Sequence, residues 1–144
     1  MTALYDTDLV AWAREQADLA RRGSVNDLDL AHIAEELEGM VRAEHRALAS
    51  QMERLMAHLL TWQYQPQQRS KSWRRSIHDS RTQIERLLAD SPSLTGELPQ
   101  VVIAEWPRAV RWASDETGIG PRAFPADCPW SQAELRDPDF LPDG

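Results

Sequence analysis

The sequence predicts an all-α protein: a four-helix, up-and-down-like bundle with a long second helix and an irregular, Pro-rich C-terminal wrap. Three observations carry this expectation. Apolar residues recur at three- and four-residue spacing through four separate stretches, the pattern of amphipathic helices. Helix-ending residues separate the stretches, at Gly23, Pro66 and Ser91-Pro92. Most of the nine Pro residues lie after Ser91, so regular structure thins out toward the C-terminus.

The first helix is expected from about Thr7 to Arg22, with Asp6 or Thr7 as its cap. Leu9, Trp12, Ala13, Ala17 and Ala20 make its apolar stripe, Arg21 and Arg22 suit the negative end of the dipole, and Gly23 fits a left-handed cap. The second helix begins near Asn26 or Asp27 and continues to about Tyr64. Its expected core stripe is Leu30, Ile33, Ala34, Leu37, Met40, Val41, Leu48, Met52, Leu55, Met56 and Leu59. Gly39 is its weak point, destabilising by roughly 1 kcal/mol against Ala, where the helix would kink or divide.

Pro66 ends the second helix, and a short connection leads to the third at about Ser72, so the two should be antiparallel neighbours. Trp73, Ile77, Ser80, Ile84, Leu87 and Leu88 form the third helix's inner face. The fourth lies between about Ser93 and Thr117 and is closed by Gly118. Val102, Trp106, Val110 and Ala113 mark its buried side, Pro99 suits a first turn, and Pro107 predicts a bend. In the remainder, Ser131 with Glu134 makes a capping box and Trp130 with Leu135 a hydrophobic staple, so one short helix is expected there. Trp130 and Phe140 should pin this segment. The chain thus reads as one domain, residues 1–118 forming the bundle and 119–144 the wrap.

Hydrophobic residues make up 42% and charged residues 27%, the balance of a water-exposed globular chain. No apolar run approaches the roughly 20 residues that span a bilayer, and no secretory signal is visible, so a cytoplasmic location is expected. Cys128 is the only cysteine and excludes an intrachain disulfide. The net charge of −7 argues against broad nucleic-acid binding. The charge is uneven. Residues 69–81 carry Arg69, Lys71, Arg74, Arg75 and Arg81 against Asp79 alone, whereas residues 27–38 carry five acids and no Lys or Arg. Such faces can meet within the fold or across an oligomer contact.

The opening LYDTDLVAWAREQA, the block HLLTWQYQPQQRSKSWRRSIHDSRTQIERLLADSPSL and the ending ETGIGPRAFPADCPWSQAELRDPDFLPD resemble the bacterial domain of unknown function 29 family over nearly the whole chain. The resemblance implies an all-helical fold and no established function, and it supplies no catalytic residues. Pro99 and Pro107 depart from the ordinary helix formers expected at those places.

Candidate chemistry is sparse. His32 and Glu36 have a metal-compatible i, i+4 spacing, but they lie off the apolar stripe, toward solvent, without a third ligand. His78 is also off-stripe, and His45 has no partner at three or four residues. No metal and no cofactor are expected. Glu44, Gln51 and His58, spaced by sevens, form a polar lane beside the core stripe. Phosphate-cradling glycine loops and a strained nucleophile turn are absent. The end of the second and third helices brings together His58, Trp62, Arg69, Trp73, Arg74 and Ser76. This set is a candidate pocket for a small anion, with His58 as the proton-transfer group. Its rival is a packed hairpin end in which His58 bonds a serine and the two Trp fill the space.

Three functional readings follow. The first is a non-enzymatic interaction domain that self-associates or joins a larger complex. The alternative is a small-molecule-binding protein or small enzyme built around His58. The third is nucleic-acid binding through the basic patch from Arg69 to Arg81, whose aromatics and cations are interleaved.

Overall fold

The computed structural model describes residues 4–143, and they are all-α, with no strand among them. Six helices are present: α1 (Leu4–Thr7), α2 (Leu9–Arg21), α3 (Leu30–Tyr64), α4 (Lys71–Asp90), α5 (Leu98–Thr117) and α6 (Gln132–Arg136). The four long helices expected from periodicity are α2 to α5. The chain divides into two compact units, Met1–Ala43 and Glu44–Gly144, and α3 contributes its first half to one and its second half to the other.

In the first unit, Asp8 caps α2 by accepting from the Ala11 N–H, one residue beyond the expected caps. Gly23 takes the left-handed φ of 72° after the helix, where a side chain would be strained. Residues Val25–Asp27 form a 3-10 turn, so α3 begins at Leu30 rather than near Asp27. It then runs unbroken for 35 residues through Gly39. The Gly39 position faces no tight backbone approach, since an added Cβ would meet only the Arg42 side chain at 3.6 Å.

The packing of this unit leaves most of the expected stripes outside, with Ile33 half-buried. Trp12 and Leu19 are buried on α2, while Leu9, Ala13, Ala17 and Ala20 of the expected stripe are exposed. The Trp12 indole N–H donates to Asp29 Oδ2 at 3.1 Å, and the Tyr5 hydroxyl donates to Glu36 Oε1. Gln16 Oε1 accepts the Asp29 backbone N–H at 2.8 Å. An indole or phenol taken out of water needs an acceptor, which Asp29 just before α3 and Glu36 on its polar side supply. That side therefore packs on α1 and α2. His32 does not point to solvent as expected: its ring stacks on Tyr5 at 4.0 Å and its Nδ1 lies 2.7 Å from Asp29 Oδ2. The apolar stripe is left outside, with Leu30, Leu37, Met40 and Val41 between 56% and 63% exposed.

In the second unit, the same stripe farther along α3 is covered. Leu48, Met52, Leu55, Met56, Leu59 and Leu60 are fully buried. They pack with Ile77, Ile84 and Leu88 of α4 and with Leu98, Val101, Val102, Trp106, Ala109 and Ala113 of α5. Ser70 caps α4 through the Trp73 N–H at 3.2 Å. Pro99 sits in the first turn of α5 as expected, and α5 continues through Pro107. Gly118 closes α5 with a left-handed φ of 75°.

The C-terminal segment is integral to this core. Phe124, Trp130 and Leu135 are buried, and Phe140 is half-buried. Trp130 meets Trp106 edge-on at 5.6 Å, and the Trp106 indole N–H donates to the Pro125 carbonyl at 3.0 Å. The capping box at Ser131 and Glu134 is formed in both directions.

Candidate functional site

The hairpin end between α3 and α4 is held by Arg69. Its Nε donates to the Trp62 carbonyl at 2.8 Å, and its guanidinium lies over the Trp62 ring at 5.0 Å. Arg74, one turn into α4, approaches the same indole at 5.6 Å. Two cations thus converge on a nearly buried Trp, a favourable arrangement because the ring face carries partial negative charge. They line a cleft with Ser70 and Lys71 of about 420 Å³.

His58 lies outside that cleft. It sits edge-on to Trp112 of α5 at 5.6 Å, and its Nε2 has no hydrogen-bond partner. Trp73 is half-buried against the core, and Ser76 is half-buried nearby on α4. Of the six residues in the expected pocket, the structure therefore gathers Trp62, Arg69 and Arg74. His58 is turned toward α5 instead. No hydrogen bond joins Glu44, Gln51 and His58, so the lane spaced by sevens forms no network. Among the described residues, no three His, Cys, Asp or Glu side chains are grouped in a way that could hold a metal ion.

His58 and His32 have opposite electrostatics. Burial withholds solvent from His58 and, with Arg54 nearby, pushes its pKa below the ordinary 6.5. The hydrogen bond to Asp29 raises His32 above the same value, against a smaller desolvation effect, and correspondingly lowers Asp29. For His58, the stability from the neutral ring is present above pH 6.5 and is lost as pH falls through the folded value. For His32, the contribution is fully present below 6.5 and is lost as pH rises through the folded value. A proton-NMR titration of the imidazoles should place the two midpoints on opposite sides of 6.5. Coincident midpoints would contradict both local environments.

Arg81, expected only as one cation of the basic stretch, is instead buried. It is 4% exposed, and it donates from Nε to the Leu135 carbonyl at 2.9 Å and from Nη2 to the Glu134 carbonyl at 3.3 Å. It also reaches over the Phe140 ring at 6.0 Å. Beside it, Arg136 makes a two-pronged contact to Glu85 at 2.9 and 2.7 Å. These bonds fix the C-terminal segment along α4. Arg81 falls on the same helical phase as Arg74 and His78, which was the one available signal.

The fold and these contacts define an all-helical protein whose surface carries basic and apolar faces. The chain belongs to the DUF29 family, a domain of unknown function, whose model matches residues 4–141. No curated protein and no solved structure compared with it gives a match. No helix among the described residues is long and apolar enough to cross a membrane.

Proposed function

We propose that this chain is a helical self-association module that pairs through its first unit with a second copy of itself. The observation that carries this reading is the exposed stripe of Leu30, Leu37, Met40 and Val41. Helical phase puts Leu9, Ala13 and Ala20 of α2 on the same side of the hairpin, because Tyr5 with Glu36 and Trp12 with Asp29 set the two helices antiparallel. The result is one apolar face spanning two helices.

A second copy is the occupant for two reasons. A unit of about 40 residues in which Trp12 and Leu19 are the only buried side chains among the described residues is too small to be stable without further support. Pairing two such hairpins face to face makes a four-helix arrangement, the common way to bury stripes of this kind. Charge also fits. Glu35, Glu38 and Arg42 lie on one flank of the stripe, and a two-fold antiparallel pairing brings like flanks together. Arg42 of each copy then faces Glu35 and Glu38 of the other.

Amide hydrogen exchange at several protein concentrations tests the reading. Protection at residues 30–41 and 9–20 should rise with concentration while that at residues 52–60 stays constant. Protection independent of concentration in the first unit would count against it.

A further inference from the structure

We propose that the basic face of α4 is a binding site for a small molecule carrying two or more phosphate groups. Lys71, Arg74, Arg75, His78 and Arg81 recur at three- and four-residue spacing, so they share one side of the helix. They line an open-sided cavity of about 820 Å³. Its opposite wall is the C-terminal segment at Pro138, Asp139 and Leu141. That volume is in the range of small-molecule sites, roughly 300–1,000 Å³.

The cations in this cavity outnumber the carboxylates in its lining, Asp79 and Asp139. None of Lys71, Arg74, Arg75 and Arg81 makes a salt bridge among the described residues. Arg81 is the most telling, because it is buried and its two bonds go to backbone carbonyls. A carbonyl satisfies the guanidinium's donors without neutralising its charge, and Asp137 and Asp139 act on Arg81 through space without pairing with it in a salt bridge. An anion supplies what the protein leaves out. Arginine forks match phosphate oxygens two at a time, whereas Lys71 acts as a point charge. The neighbouring cleft over Trp62 shares Lys71 and Arg74, which gives an elongated ligand a second anchoring point.

The observations favour a small ligand over a nucleic acid. Asp79 and Asp139 sit in the cavity lining, where they confine the positive field to a short stretch. The chain as a whole carries −7, and a long polyanion leaving the cavity would meet repulsion. Ile77 and Leu141 add apolar surface for the non-phosphate part of such a ligand.

Isothermal titration of the full chain with inorganic pyrophosphate at low ionic strength is the test. Saturable binding is expected, with Arg75→Ala weakening it about tenfold and Lys71→Ala/Arg75→Ala about a hundredfold. Lys71 and Arg75 are exposed, so thermal melting of these variants should match the parent. Arg108→Ala/Arg111→Ala on α5, outside the cavity, should leave binding unchanged. The proposal is overturned by the absence of saturable heat, or by the α5 pair weakening binding as much as the α4 pair. It is equally overturned if a single-stranded oligonucleotide binds through Lys71 and Arg75 more tightly than pyrophosphate does.

Discussion

A chain ending at Gly120 is expected to lose cooperative folding of its second unit. The deletion removes Phe124, Trp130 and Leu135, all buried in the core. Each such side chain contributes about 1.5–3 kcal/mol on burial. Their combined loss is of the same order as the whole net stability of a domain, about 5–15 kcal/mol. The deletion also strips the Trp106 N–H of its acceptor at Pro125 and removes both carbonyls that hold Arg81. Thermal unfolding followed by near-ultraviolet circular dichroism should show a broad transition or none. A point variant reads the same contact more gently. Leu135→Ala leaves the chain length intact and should cost about 2–5 kcal/mol, the usual range for emptying a fully packed Leu site. An unchanged melting temperature in either chain would mean that the segment does not pack as described.

The second large effect falls on self-association. Leu37 lies in the middle of the exposed stripe of α3, and Leu37→Glu would put a carboxylate where two copies meet. In a two-fold pairing the substitution is present twice, once on each side of the contact. A central residue of this kind costs at least about 2 kcal/mol when truncated. Burying two carboxylates opposite Val41 and near Glu38 adds desolvation and like-charge repulsion. The dissociation constant should rise by at least about a hundredfold. Because Leu37 is exposed in the single chain, the variant's helical circular dichroism signal should match that of the parent diluted below its dissociation constant. A variant that associates as strongly as the parent would remove the stripe from the interface.

The contrast between the two halves of α3 explains how far the sequence could be read. Its apolar positions keep one helical phase from Leu30 to Leu59, and that phase is legible from spacing alone. What covers a face is not. From Leu48 onward, α4 and α5 of the same chain cover the stripe; from Leu30 to Val41 it stays exposed. Periodicity reports that a face is apolar and is silent about whether its cover lies in the same molecule. Trp12 and Tyr5 made the difference locally, because their polar atoms drew the carboxylate side of α3 inward. Where the signal is short-range, the sequence spoke clearly. Ser131 and Glu134 stand three residues apart and formed the expected capping box, and Pro99 took its first-turn position.

Long-range partners were hidden for the same reason. Arg81 reads as one more cation in a basic stretch, and its carbonyl acceptors lie 53 and 54 residues later. His58 reads as part of a polar lane because Glu44 and Gln51 precede it by sevens. Its real neighbour is Trp112, a residue of α5 outside the stripe that spacing marked as buried. The arginines at the hairpin end were the tractable part of the candidate pocket, since Arg69 and Trp62 are seven residues apart across a Pro-terminated turn.

Sedimentation velocity of the unmodified chain, across concentrations from about 1 to 200 μM and at two salt levels, tests self-association most directly. The account predicts a dimer that builds up with concentration and persists at about 0.5 M salt, where exposed charges are screened beyond a few ångströms. A sharp monomer boundary at the highest concentration would contradict it. So would an assembly that grows beyond two chains and dissolves in salt, because that behaviour belongs to the acidic first unit docking on the basic face of α4.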